Sequence, residues 1–528
     1  MERQPAAAAT EYVDPQTAFT LDMSGLRLDA DDLNALDGLP LDRAHEQMKK
    51  LEAGAVKNPD EHRAVTHFTD RLGYPQSELF QQVEAFASRM RAGDLQVSGG
   101  SVEFVVINGI GGSALGPQLL QFAINGPYWN ELDRSRRNDF PRIYFLDNTD
   151  PAGLADLKEV VDLSRTLIVS ISKSGGTQET RNNLIGLKQA FAEAGLDFRR
   201  HATAVTMADS QLDRTAAEEN WIEVFHMAES IGGRTSETNV VGHLPAALAG
   251  IDFAAFVEGA RHMDELTRRR ELAQNPAYLL AASWYLLGNG RGDRNMVIVP
   301  YSDRLVLFGK YLQQLVMESL GKRLDLEGRP VYQGLTVYGN KGGTDAHAYI
   351  QQLNDGRDDF FITFIEVMQD TEKIPIDGRL QMGDYLHGFK SGLADALTQK
   401  GRRVADIRID ALTPHALGML VALYERAVAV YAELIHINAY HQPGVQAYKL
   451  ASKDVNALNL ELQQWLESRA SAGWSGTAQA AADEMGRPEK ADGIRLHLAK
   501  FAVNRRCFGG RTLVREWHDD AWQYALRN

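Results

Sequence analysis

The 528-residue chain is 44% apolar and 24% charged, an ordinary composition that excludes fibrous, collagenous and largely disordered classes and leaves room for two to four domains. Its formal net charge of −14 disfavours non-specific binding to nucleic acid or anionic membranes, but a small anionic substrate held by local cations and backbone amides stays open. One cysteine, Cys507, cannot form an intramolecular disulfide, which fits a reducing, cytoplasmic setting.

Residues 1–5 (MERQP) and the alanine run after them lack a basic segment followed by an apolar core, so no secretory signal is expected. Residues 1–70 read as a polar N-terminal helical arm, punctuated by Pro15, Gly25, Gly38 and Pro40. From about residue 100, short apolar runs alternate with helical stretches. The runs 102–108 (VEFVVIN), 142–146 (RIYFL), 166–172 (TLIVSIS) and 202–206 (ATAVT) predict strands, each followed by a turn and a helix. That alternation predicts right-handed βαβ units on a mainly parallel sheet.

A helical segment near 250–290 leads to a second series: a strand at 295–300 (NMVIVP), a helix at 304–320, a strand at 360–367 (FFITFIEV) and long helices. One of these, 413–437, is apolar but interrupted by Glu425, Arg426 and Glu433, so it reads as a buried helix and not a membrane span. The fold class is therefore α/β, with two three-layer αβα sandwich domains over 71–262 and 263–465. The tail, 466–528, differs. A helix capped around Thr477 runs to Met485, a second starts at Pro488, and 505–514 (RRCFGGRTLV) carries a Gly-Gly hairpin signal, together resembling a small winged-helix module.

Six segments carry chemistry. The turn 108–114 (NGIGGSA), between a strand and a helix, exposes backbone amides where an anion or sugar hydroxyl can dock. Gly109, Gly111 and Ala114 also satisfy a loose dinucleotide fingerprint, but the acidic residue that a ribose needs is misplaced: Asp147 is too far along and Glu131 lies in no strand. The run 172–180 (SKSGGTQET) gathers three hydroxyls and a lysine at the start of a helix, the chemistry of a phosphomonoester cradle, whereas simple N-capping needs one hydroxyl. The turn 231–236 (IGGRTS) holds Arg234 ahead of an apolar helix, placed either for solvent or for a developing oxyanion. Gln314 and Glu318 lie four apart and share a helix face; flanked by apolar residues, Glu318 suits proton abstraction, or pairs with Lys310 or Lys322. In 342–347 (GGTDAH), Thr344 or Asp345 is the expected N-cap, with His347 in the first turn. Gln442 and Lys449 open a further helix at 442–449 (QPGVQAYK), a segment that means nothing alone.

Together, NGIGGSALG, SISKSGGTQET, GGRTSETNVVG, KYLQQLVMESLGK, GGTDAHAYIQQLNDG and QPGVQAYK occur in an order that resembles the phosphoglucose isomerase family, built from two sugar-isomerase (SIS) domains. The resemblance spans 108–449. It implies that glucose 6-phosphate and fructose 6-phosphate are interconverted without metal or nicotinamide. Ser172, Lys173, Ser174 and Thr177 would hold the phosphate, and Gly112 and Ser113 would line the sugar site. His347, assisted by Lys449, would open the ring; Glu318 would carry the proton between C2 and C1 through a cis-enediolate that Arg234 stabilises. Gln314 and Gln442 would contact sugar or phosphate. A homodimer with shared sites is implied, and no nucleic-acid or membrane partner. Two departures stand out: the loop 147–151 follows the family only loosely, and Gly175-Gly176 replace bulkier residues. An SIS isomerase of wider specificity, or a non-catalytic sugar-phosphate sensor with a DNA-binding tail, are the alternatives.

Overall fold

The computed structural model describes residues 11–528; the stretch judged above for a secretory signal lies outside the described residues. The chain forms two compact units, one ending at His441 and the other starting at Gln442.

Two sheets organise the first unit. One has five parallel strands in the order Glu223–His226, Ala202–Thr206, Thr166–Ile171, Phe104–Asn108, Arg142–Leu146. Its three central strands are buried at every residue, because helices cover both faces; this is why their sequences read as continuous apolar runs. The chain leaves Phe104–Asn108 for Arg142–Leu146 on one side, then crosses to Thr166–Ile171 on the other. Such a reversal opens a crevice at the carboxyl ends of the two flanking strands, where ligands bind in open α/β sheets. The glycine turn after Asn108 and the hydroxyl-rich loop after Ile171 both emerge there. Asn108 ties them, its Nδ2 donating to Ser170 Oγ (3.3 Å) and to the Thr180 carbonyl (3.0 Å).

The second sheet has six strands in the order Glu11–Val13, Thr20–Asp22, Arg403–Ile409, Phe360–Val367, Asn295–Tyr301, Val337–Tyr338. Its last four strands are parallel and repeat the same reversal about Asn295–Tyr301. The N-terminal segment is helical at Ala30–Leu36 and Leu39–Glu52, but it begins with two strands that the helical expectation missed. They extend this sheet antiparallel at its Arg403–Ile409 edge. Strands Glu223–His226 and Arg403–Ile409 were not foreseen either.

The helix Pro414–Leu434 lies in the core. Its charges are paired inside: Glu425 accepts from Arg71 (2.8 Å), and Arg426 donates to Glu52 (2.6 Å) and Asp264 (3.1 Å). Burying these ions is tolerated because each has a partner at bonding distance. Among the described residues, no helix is long and apolar enough to cross a membrane.

In the second unit, the helix Pro443–Arg469 is followed by helices Ala478–Glu484 and Ala491–Val503 and a four-stranded sheet. The sheet order is Ser475–Gly476, Ala521–Arg527, Arg511–His518, Cys507–Phe508. Gly509 and Gly510 form the expected two-residue turn, both at positive φ (53° and 80°). The boundary expected at 465/466 falls inside the first helix, whose Leu462 and Leu466 pack with Phe501, Leu513, Tyr524 and Leu526.

Candidate active site

Three of the six segments meet through glycine. Gly111 has φ +58°, and a Cβ there would stand 3.0 Å from Gln314 Nε2. A Cβ on Gly112 would stand 1.8 Å from the Gly233 carbonyl oxygen. The turn after the central strand can therefore press against both the arginine turn and the Gln314 helix only because positions 111 and 112 carry no side chain.

That helix is not regular. Val306–Leu312 is α-helical, but Gln313–Glu318 is a π-helical turn, an insertion found mostly at functional sites. Gln314 and Glu318 still meet, with Gln314 Nε2 donating to Glu318 Oε2 (3.1 Å). Glu318 pairs neither with Lys310 nor through its carboxylate with Lys322. Its neighbour is Arg234, whose Nη1 lies 3.5 Å from Glu318 Oε2.

Arg234 is not a solvated turn arginine. It is buried; its Nε donates to Ser319 Oγ (2.7 Å) and its Nη2 to the carbonyls of Ala439 and, at 3.4 Å, His441. Burial lowers its pKa, with Glu318 opposing the shift. A fixed guanidinium beside a carboxylate, 21% exposed, makes a proton acceptor with a cation ready for an oxyanion.

In the second segment, Thr177 occupies the N-cap of the helix Gln178–Glu193 but makes no capping bond. Its Oγ1 accepts instead from Ser172 Oγ (3.3 Å), and Gly176 N–H donates to Ser174 Oγ (3.2 Å). Ser174 is exposed and Ser172 buried. These hydroxyls face the helix start without being consumed by it, which weighs against simple capping. Lys173 bridges away from this loop: its Nζ donates to the carbonyls of Glu229 (2.5 Å) and Ile231 (3.1 Å) at the arginine turn. Burial pulls the Lys173 ammonium down to about 8, Arg63 adding to the shift and Glu61 and Glu229 opposing it. Ser113 sits in the first turn of the helix Gly112–Leu120, half-buried.

His347 stands apart in a short 3-10 turn, Thr344–His347, preceded by Gly343 and without a side-chain cap. Neither Thr344 nor Asp345 caps it. Asp345 is buried and closes the loop, accepting from Asn340 N–H (2.9 Å) and Tyr349 Oη, which leaves His347 exposed and without a hydrogen bond. Gln442 and Lys449 belong to the second unit, at the start of the helix Pro443–Arg469.

Sequence reasoning missed Ser319 and Arg63, and named Lys322 only as a salt-bridge partner for Glu318. Lys322 Nζ donates to the carbonyls of Glu318 (2.7 Å) and Ser319 (2.6 Å). Burial pulls it down to about 7, with Arg234 repelling and Glu318 opposing. Its signal was a lysine just past Gly321, where a helix ends. Arg63 donates to the carbonyls of Ser230 (3.1 Å) and Tyr440 (3.2 Å), bracing the arginine turn; its neighbourhood in sequence held no signal. Among the described residues, no group of three or more His, Cys, Asp or Glu could hold a metal ion.

The phosphoglucose isomerase family profile matches residues 22–472. A glucose-6-phosphate isomerase of Geobacter sulfurreducens is 47% identical over 506 residues, and one of Citrifermentans bemidjiense is 45% identical over 507, each covering 93% of both chains. Among solved structures, a glucose-6-phosphate isomerase from Chlamydia trachomatis superposes with TM-score 0.74 at 28% identity, covering 83% of this chain and 88% of that one. A hypothetical protein from Thermus thermophilus gives TM-score 0.68 at 28% identity, covering 83% and 99%. With a match over most of its length and these relatives on either side of it, the chain belongs to the phosphoglucose isomerase family.

Proposed function

We propose that this chain catalyses the reversible interconversion of glucose 6-phosphate and fructose 6-phosphate, as an aldose–ketose isomerase. The observation that carries the reading is the meeting of Glu318, Gln314 and Arg234 beside the glycine turn, in a chain of this family.

The substrate phosphate docks on Ser172, Ser174 and Thr177 at the helix start, with Lys173 joining the loop to the arginine turn. Binding energy from this remote group orients the reacting carbons. Gly112 and Ser113 line the sugar, and Gln314 and Gln442 contact it or the phosphate. His347, with Lys449, moves a proton between O1 and O5 to open the ring. Glu318 then takes the C2 proton and returns it to C1, while Arg234 balances the negative charge of the cis-enediolate. One carboxylate serves both carbons, and the reading calls for neither metal nor nicotinamide.

The two sheets correspond to the two SIS domains, the second of which takes its edge strands from the N-terminal segment. The active form is a homodimer whose sites are shared. Two features support this: the unpartnered His347, and a run of exposed apolar residues around the hairpin Pro375–Gln381, including Ile376, Leu380, Met382 and Phe389. A cytoplasmic location fits the one free cysteine.

A coupled assay offering fructose 6-phosphate and mannose 6-phosphate in parallel tests the reading. Turnover of fructose 6-phosphate well above mannose 6-phosphate is expected. Equal rates would point to the wider-specificity isomerase, and no turnover of either would point to a sensor.

A further inference from the structure

The helix that carries Glu318 ends at Leu320, so its last carbonyls have no partner further along the chain. Two of them, on Glu318 and Ser319, are taken by Lys322 Nζ at 2.7 and 2.6 Å. A lysine that caps a helix terminus ordinarily does so from solvent. Lys322 is 3% exposed, and burial pulls its ammonium down to about 7, so this cap is held against a desolvation cost. A surface lysine or a backbone amide could close the helix without that cost.

What distinguishes the place is the turn it closes. Gln313–Glu318 is π-helical, a geometry less favourable than the α-helix it interrupts. Two fasteners hold its end. Lys322 grips the carbonyls of Glu318 and Ser319 from below, and Arg234 grips Ser319 through Nε–H···Oγ at 2.7 Å. With its backbone so fixed, the Glu318 carboxylate reaches Gln314 Nε2 (3.1 Å) and Arg234 Nη1 (3.5 Å).

We propose that Lys322 is a positioning residue for the isomerisation: by holding the Glu318 and Ser319 carbonyls it locks the π-helical turn and aims the Glu318 carboxylate. It touches no substrate and acts through Glu318. The inference rests on the reading of Glu318 as the base.

Lys322→Met in the full chain keeps the side-chain stem and removes the ammonium. A carboxylate displaced by about 1 Å costs on the order of 10²-fold in rate, so kcat should fall ~10- to 100-fold while KM for fructose 6-phosphate stays within ~3-fold. Ser319→Ala removes the other fastener with little risk to folding and should lower kcat several-fold, again at unchanged KM. The deciding readout is Lys322→Met combined with Glu318→Gln: aiming a carboxylate that is already gone has no effect, so the second substitution should add less than ~3-fold. A purely structural role would repeat the full loss in the Glu318→Gln background, and would overturn the proposal. So would unchanged kcat in Lys322→Met. If that variant does not fold, Lys322→Gln, whose shorter single amide cannot grip both carbonyls, decides, and unchanged kcat there overturns the proposal too. Near-normal turnover by Glu318→Gln alone is a different result, which removes the base reading itself.

Discussion

Adding one methyl group at Gly112 probes how the site is assembled. The glycine's backbone conformation is open to any residue, so the effect of Gly112→Ala comes from contact alone. The new Cβ would stand 1.8 Å from the Gly233 oxygen, 2.1 Å from its carbon and 2.8 Å from Arg234 N. Cβ contacts essentially never fall below 3.0 Å, so the two turns must part by at least 3.0 − 1.8 = 1.2 Å. Both partners are backbone, and no rotamer change relieves the overlap. The Arg234 Nε–Ser319 Oγ bond, at 2.7 Å, does not survive a movement of that size in the arginine turn. Overpacking of this kind costs about 1–3 kcal/mol in stability, and displacement of Arg234 costs on the order of 10²-fold in kcat/KM. Steady-state kinetics with fructose 6-phosphate, paired with thermal melting, measure both. Gly392→Ala is the control. It lies exposed in the helix Met382–Gln399 with no atom within 4 Å of a new Cβ, and should stabilise by about 0.5–1 kcal/mol. Wild-type kinetics and melting in Gly112→Ala would mean that the glycine turn and the arginine turn do not meet as described.

Glu237 and Glu425 are buried carboxyls near Arg71 and Tyr311, and burial raises both pKa values; Glu237 adds to the rise at Glu425, while hydrogen bonds from Glu425 and Tyr311 oppose the rise at Glu237. With the folded pKa raised, their stabilising contribution is complete below about pH 4.5 and is lost as pH rises toward the folded value, so the melting temperature of Glu237→Gln relative to wild type should climb with pH; a pH-independent difference would refute this. For the shared site, inactive Glu318→Gln and His347→Ala chains unfolded together and refolded as a mixture should regain roughly a quarter of wild-type activity, because a heterodimer has one site with both lesions and one with neither. Persistent inactivity would place both residues in one subunit.

The central strands were legible because runs such as TLIVSI and FFITFIEV are apolar throughout, as full burial on both faces demands. The Arg403–Ile409 strand (RVADIRI) was not, since its charged residues alternate with the apolar ones and mimic a polar stretch. Three-residue strands such as Glu11–Val13 leave no periodicity to read. The terminal hairpin turns at Asp519-Asp520, both at positive φ, without the glycine or asparagine that announces such a turn. In the site, residue types pointed to phosphate, base and cation, and spacing put Gln314 and Glu318 on one face. The contact of Gly112 with Gly233 arises from packing between segments far apart in sequence, of which local patterns carry no trace. The π-helical turn is local, but no residue type in Gln313–Glu318 announces it.

In the proposed reaction one carboxylate moves a proton between adjacent carbons. Glucose 6-phosphate incubated with the enzyme in heavy water, and followed by proton NMR, tests this directly. The wild-type chain should introduce deuterium at C2 of glucose 6-phosphate and at C1 of fructose 6-phosphate as isomerisation proceeds. Glu318→Gln should slow exchange at both carbons by ~10²–10⁴-fold. Isomerisation with no deuterium in either sugar would indicate a hydride shift, and exchange at the wild-type rate in Glu318→Gln would assign the base to another residue; either result contradicts the account.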